Sequence, residues 1–156
     1  MMTDTHLFEA RQGAYLISTD PTRLNLDAVH AGLNRTYWAA GRSRAVVAQA
    51  LAHSLCFGLY HTDAQVGLAR VVTDHTTFAW LCDVYILEDH RGAELGKWLI
   101  ATVLSHPDLR AIRRIMLATR DAHGLYQRYG FRPLDVPEQW MERFFDHQGV
   151  EPDAQC

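Results

Sequence analysis

The stretch FAWLCDVYILEDHRGAELGKWLI, residues 78–100, decides how this chain is read. Its first ten residues, 78–87, are almost wholly apolar and carry aromatic and aliphatic side chains. That pattern predicts a central strand covered on both faces. Then come two glycines, Gly92 and Gly96, between Arg91 and Lys97. Beyond them Leu95, Trp98, Leu99 and Val103 fall on one face at helical spacing. A strand, a glycine-bearing turn and a helix in this order make a ready anion site. The first N–H groups of a helix lack intrahelical partners and carry the positive end of its dipole. Arg91 adds a planar fork of donors that matches a phosphate.

The flanking sequence supplies the frame. AYLIST (14–19) is a short strand pattern stopped by Asp20-Pro21. Leu26, Val29 and Leu33 predict a helix over 25–34. A second helix is expected over 44–55 with Ser43 as its N-cap. CFGLY (56–60), the turn HTDA (61–64) and QVGLARVV (65–72) predict a hairpin that leads into the apolar strand. Downstream, His106-Pro107 ends the loop's helix and RRIMLAT (113–119) is a further strand. A short helix follows over 122–129, closed by Gly130. FRPL (131–134) is expected to begin a last strand, and 137–145 to form a final helical turn or two. The alternation predicts a single α/β domain with a mixed central sheet flanked by helices. It spans residues 1–146, with a flexible tail over 147–156.

Composition narrows the function. At 156 residues, 48% hydrophobic and 21% charged, the chain suits one soluble domain with one core. A net charge of −3 gives no reason to expect nucleic acid or a membrane surface as a partner. The N-terminus lacks a signal-peptide pattern, and Cys56, Cys82 and Cys156 are scattered as in a reducing compartment, so a cytoplasmic location is expected. The nine histidines show no metal-ligand spacing, and no metal is expected.

Three phosphate loops compete for residues 88–100. A nucleoside-triphosphatase loop needs four residues between its glycines and a hydroxyl after the lysine; here three residues intervene and Trp98 follows Lys97. A dinucleotide fingerprint, G-x-G-x-x-G, is absent. The third is the pyrophosphate loop of acyl-coenzyme A acyltransferases. VYILEDHRGAELGKWLI resembles the central motif of the GNAT-type N-acetyltransferases, R/Q-x-x-G/A-x-G/A after a strand. HGLYQRYGF (123–131) resembles their second signature, L-Y-x-x-x-G-F. The two motifs are spaced as in that family, with one strand between them. YWAAGR (37–42), SLCFGLY (54–60) and GLARVVTD (67–74) resemble an uncharacterised bacterial branch of it.

The resemblance implies acetyl transfer from acetyl-CoA to a primary amine, that of a small molecule, by direct attack in a ternary complex. It implies that the backbone of Val84, Tyr85 and Ile86 pairs with pantetheine. The loop Arg91, Gly92, Ala93, Glu94, Leu95, Gly96 and Lys97 would hold the pyrophosphate. Tyr126 falls on the family's general-acid tyrosine; as a residue it also reads as a core aromatic. Tyr37 and Trp38 lie where the family builds its acceptor pocket, and Trp80 either joins them or packs in the core. Two positions depart from the family. Glu94 stands where Gly or Ala is usual, and Thr119 where an Asn often contacts the cofactor. Asp83 is an acid inside an apolar strand, which is costly without a partner. It reads equally as a general base or as a buried acceptor that pins a neighbouring loop, and alternation opposes the first reading unless a bulge intervenes. Asp74, His75 and His53 are weaker bases, and a water chain could replace them. Arg110, Arg113 and Arg114 read as a solvated helix end or as a contact to the cofactor's ribose phosphate. A homodimer is compatible with the resemblance. The competing function is a non-catalytic acyl-CoA-binding sensor or partner module.

Overall fold

A computed structural model describes residues 7–92 and 94–145. The tail expected over 147–156 and the loop residue Ala93 lie outside the described residues. Six strands form one sheet in the order β1-β2-β3-β4-β5-β6. They are β1 (Glu9–Gln12), β2 (Tyr15–Ser18), β3 (Leu55–His61), β4 (Ala64–Thr73), β5 (Ala79–Ile86) and β6 (Ile115–Met116). Every pairing is antiparallel except β5 with β6, which is parallel. The sheet is therefore mixed, as expected.

Helices cover both faces. α1 (Leu26–Asn34) and α2 (Arg44–Ala52) fill the connection from β2 to β3. Asn25 and Ser43 cap them, accepting from Ala28 N at 3.0 Å and Val46 N at 3.2 Å. Val29, Leu33, Val47 and Leu51 pack with Leu68 and Tyr85 on that face. α3 (Leu95–Ser105) and α4 (Pro107–Arg110) make the crossover from β5 to β6. Leu95, Leu99, Ile100 and Val103 join Phe57, Leu59, Val71 and Leu81 in the larger core on the opposite face. α5 (His123–Gln127) follows β6.

Several sequence expectations need correction. EARQ (9–12) is a strand, β1, although its polar pattern carries no alternation; the turn and ladder to β2 hold it there. α2 ends at Ala52, because the segment from Leu55 is drawn into β3. β5 is central and has core on both faces, with Leu81, Val84 and Ile86 on the α3 side and Tyr85 on the α1 side, but every second residue along it is only half-buried. Only Ile115 and Met116 of the expected strand 113–119 pair. FRPL (131–134) is irregular, and the last helical region is one 3-10 turn, Pro137–Gln139. With Pro133 lacking an N–H and β6 only two residues long, no ladder forms there.

The irregularity that matters lies within β5. Leu68 opposes Tyr85 and Arg70 opposes Cys82, so Ala69 alone faces both Asp83 and Val84. Asp83 has φ +50°. This is a β-bulge, and it reverses the alternation of faces. Leu81 packs into the α3-side core; after the bulge Val84 and Ile86 pack there too, while Tyr85 packs under α1.

Candidate functional site

β5 and β6 pair only at Ala79–Ile115 and Trp80–Met116. Beyond that point the two chains diverge, and β5 from Leu81 onward has no strand partner on this side. A cavity of about 410 Å³ opens in the divergence. Leu81 to Val84 form one wall, Leu117 to Thr119 with Ala122 and Tyr126 the other. A second cleft, lined by Val84 to Ile86, Arg91, Gly92, Glu94 to Lys97 and Leu125, continues along the end of β5. The two clefts share Val84. The structure thus brings Val84, Tyr85, Ile86, Arg91, Gly92, Glu94, Leu95, Gly96 and Lys97 to one surface.

The loop is built for close approach to its backbone. Gly92 has φ +88° and Glu94 has φ +62°, so two left-handed residues reverse the chain before the helix. Glu94 is the N-cap residue of α3, yet no side chain caps the helix. Its first N–H groups remain available to an anion. A Cβ added at Gly96 would meet only Ile86 Cδ1, at 3.9 Å. The Glu94 carboxylate is drawn to Lys97, with Nζ–Oε distances of 2.9 and 3.1 Å. The unusual acid is therefore neutralised by the loop's own lysine. Arg91 folds back, its Nε donating to Ile86 O at 2.9 Å. The turn before it is tied down by the Tyr15 hydroxyl, 2.9 Å from His90 Nδ1. These features fit a pyrophosphate: uncapped backbone donors, no obstructing side chain at Gly96, and Arg91 and Lys97 at the rim.

Tyr126 is buried and faces the cavity between β5 and β6. Burial, and secondarily the nearby Tyr37 phenol, pushes its phenol above the ordinary value. Thr119 lines the same cavity, but its hydroxyl accepts from Ala122 N at 3.0 Å and supports the start of α5. The Tyr129 hydroxyl donates to Lys97 O at 2.9 Å, clasping α5 to the loop's helix. Sequence reading did not assign that link; the tyrosine in the second motif was its only signal.

Tyr37, Trp38 and Trp80 all line the cavity. Tyr37 and Trp38 pack edge to face at 5.1 Å and are exposed. Arg120 stacks over the Tyr37 ring at 3.7 Å, and its backbone N–H donates to the Tyr37 hydroxyl at 3.3 Å. The α1–α2 connection is thereby joined to the segment before α5, across the cavity mouth.

Asp83 is the centre of a polar network. Its Oδ2 accepts from Arg70 Nε at 2.8 Å and from Arg42 Nη1 at 2.9 Å; its Oδ1 accepts from Trp38 Nε1 at 3.1 Å. Both oxygens are engaged, and the side chain pins the α1–α2 connection to the sheet. The bulge turns the carboxylate away from the side of Leu81 and toward these donors, and it remains on the face opposite Val84 and Ile86. Asp74, by contrast, sits in the β4–β5 turn, where four bonds from Thr76, Thr77 and Phe78 hold its carboxyl far below the usual range. His75 pairs with Asp108 at 2.8 Å. Neither lines the cavity, and His53 does not either. Arg42, Arg70 and Asp121, which do line it, were not picked out from the sequence. Arg70 could have been: it is a charged residue inside an apolar strand pattern, as Asp83 is. Arg113 and Arg114 line a separate surface with Trp140, and Arg114 lies over the Trp140 ring at 4.9 Å.

An open strand edge thus lies beside an uncapped helix N-terminus, reached through a left-handed loop. The model of the acetyltransferase (GNAT) domain matches residues 52–133, and the chain belongs to that family. A Gibberella zeae relative bearing the name "Putative acetyltransferase FG08082" is 36% identical, covering 74% of this chain and 77% of its own. A solved GNAT-family structure from Xanthomonas campestris pv. campestris is 46% identical with a TM-score of 0.81, covering 84% of this chain and 93% of that one. A Clostridium acetobutylicum structure with acetyl-CoA has a TM-score of 0.61 over 83% of this chain and 94% of its own. At 14% identity that likeness is one of fold. Among the described residues, no helix is long and apolar enough to cross a membrane, and no three His, Cys, Asp or Glu are grouped to hold a metal ion.

Proposed function

We propose that this protein transfers the acetyl group of acetyl-CoA to the primary amine of a small molecule, by direct attack while both are bound. The observation that carries this reading is the meeting of the two clefts at Val84. One has the anion-binding helix start; the other has the aromatic basin and Tyr126. A thioester placed at their junction is reached by an amine entering from the other side.

Bound acetyl-CoA supplies an acetyl group activated as a thioester. The unpaired edge of β5 after the bulge offers backbone N–H groups to the carbonyl oxygen as negative charge develops on it. The amine nitrogen forms a bond to the carbonyl carbon and the C–S bond breaks. The products are the N-acetyl amine and coenzyme A thiol. The amine proton passes to water in the open mouth, where Asp121 stands. Tyr126 faces the departing sulfur. Its raised pKa makes full proton transfer to a thiolate of ordinary pKa, about 8.5, an uphill step. Its role is better described as hydrogen-bond donation to the developing thiolate, with the proton completed from solvent. Cys82 also lines the cavity, but burial pushes its thiol up to about 11. Thiolate is then scarce at neutral pH, which supports direct attack over an acyl-cysteine route.

Coenzyme A thiol should appear only when an amine is present, and varied-substrate kinetics should give intersecting lines. Parallel lines would overturn direct attack. The second reading, an acyl-CoA-binding module without turnover, is favoured by one feature: the buried carboxylate that could have been a base has both oxygens engaged. Binding of acetyl-CoA with no thiol release across a broad amine panel would select it.

A further inference from the structure

The acceptor basin keeps its charges apart: two guanidinium groups and one carboxylate meet on its inner wall, while Asp121 lies elsewhere on its lining. Two guanidinium groups converge on one carboxylate oxygen, Oδ2 of Asp83. The Trp38 indole N–H adds a third donor to the same carboxylate. The side chain of Asp83 is 2% exposed, whereas Arg42 is 22% and Arg70 14% exposed. The negative charge therefore lies behind, and the two positive groups lie in front of it, on the wall of the cavity. Formal charges leave a surplus of one positive charge there. Much of the donor capacity is also unspent. Arg42 uses only Nη1 on Asp83, and Arg70 uses Nε on Asp83 and Nη1 on Ser54 Oγ at 3.0 Å. The remaining guanidinium N–H groups of Arg42, and Nη2 of Arg70, have no hydrogen-bond partner among the described residues. A guanidinium fork held in place by one carboxylate presents its free edge to a second one.

A structural anchor for the α1–α2 connection needs one arginine. The second positive group is half-buried, costly to desolvate and unneeded for that purpose. Asp121 lies on the same cavity with the opposite sign, beside the segment that leads to Tyr126. The basin thus has a cationic inner wall from β4 and the α1–α2 connection, an anionic rim, and the aromatic faces of Tyr37 and Trp38 between them. Resting on the acetyltransferase reading, we infer that the acceptor is a primary amine that also carries a carboxylate, an amino-acid-like molecule. Its carboxylate lies against Arg42 and Arg70, and its amine is thereby turned toward Val84 and Tyr126. The single surplus charge matches a carboxylate better than a phosphate monoester, which carries nearly two.

The test uses the full-length wild-type protein, acetyl-CoA and matched acceptors. Each set contains an amino acid, its amide, the decarboxylated amine and the corresponding aminoalkyl phosphate, across several side-chain types. In at least one set, kcat/KM should favour the amino acid over its amide and amine by roughly 10- to 100-fold, the usual worth of a charge-assisted bond. Arg42→Gln should raise KM for that amino acid by a similar factor and leave the thermal shift by acetyl-CoA in place; Arg42→Lys should recover part of the loss. Equal use of all four members, or preference for the amide, amine or phosphate, would overturn the inference while leaving acetyl transfer standing. No transfer to any amine would overturn the acetyltransferase reading itself. If Arg42→Gln does not fold, the wild-type comparison decides alone.

Discussion

β5 has two edges, and they do opposite things. Along β4 it makes a ladder from Ala79 to Ile86, interrupted only by the bulge at Asp83 and Val84. Along β6 it pairs at Ala79 and Trp80 and then stands open. The first edge is packed to contact. A Cβ on Gly67 would meet Tyr85 O at 2.8 Å and Leu59 at 3.1 and 3.2 Å. The second edge leads to space, and a Cβ on Gly96 meets one atom at 3.9 Å. The closed edge holds the bulge in place, and the bulge aims residues of one strand at both faces. A functional cleft in this fold is thus a sheet left unfinished on one side and held rigid on the other.

The sharpest way to break that contrast is at the bulge. Asp83→Ala leaves two half-buried guanidinium groups without their shared acceptor. It should lower stability by about 3 kcal/mol, toward the low end for a broken buried pair because both arginines reach solvent. Urea unfolding measures this. A loss under about 0.5 kcal/mol would mean that the network does not anchor the α1–α2 connection.

Next comes the open edge. Tyr126→Phe should reduce kcat by roughly 10- to 100-fold with little change in acetyl-CoA binding. Any basic limb in the wild-type kcat profile that belongs to Tyr126 should lie above the ordinary phenol value of about 10, because burial favours the protonated form. A basic limb in kcat near pH 8 that disappears in Tyr126→Phe would contradict that.

The same substitution at Gly67 in β4, against the closed edge, and at Gly96 in α3, beside the open one, should then have opposite signs. Gly67→Ala should destabilise by about 1–3 kcal/mol, since backbone lies 2.8 Å from the new carbon. Gly96→Ala should leave stability unchanged or raise it by up to about 1 kcal/mol, as alanine favours helix. Yet it should weaken acetyl-CoA binding by placing a methyl at the helix start. Denaturation curves and calorimetric titration on both variants separate the effects; equal destabilisation would erase the contrast.

Glu94→Gly is expected to have the smallest effect. It relieves a left-handed residue of its Cβ, worth roughly 1 kcal/mol, and removes an exposed ion pair worth little. Acetyl-CoA affinity should rise a few-fold. Unchanged affinity would mean that Lys97 already cancels the acid completely.

Much of this was legible before any coordinates. Local rules placed the helix starts at Asn25 and Ser43, the hairpin of β3 and β4, and the loop with its helix. In each case the signal is contained within a few residues: a cap, a turn, a period. The loop before α3 was readable for the same reason, since glycines and an arginine sit together in sequence. The cavity between β5 and β6 was only half readable. Tyr37, Trp38 and Trp80 could be named; Arg70 shows in sequence only as a charge inside an apolar strand, and what it and Arg42 do comes from meeting Asp83 across 13 and 41 residues. β1 was missed because its polar residues depend on β2 for their pairing. FRPL was misread because strand propensity requires an edge to pair with, and β6 is too short to provide one.

Neighbouring residues and backbone geometry were enough to set the strand–loop–helix unit, the family motifs and the glycine-bearing loop with its arginine and lysine. Only the tertiary structure decided where β5 stops pairing with β6, which way Asp83 points after its bulge, and that two arginines face one carboxylate. Those outcomes depend on contacts between segments far apart in the chain, and a local pattern carries no information about which distant partner will win.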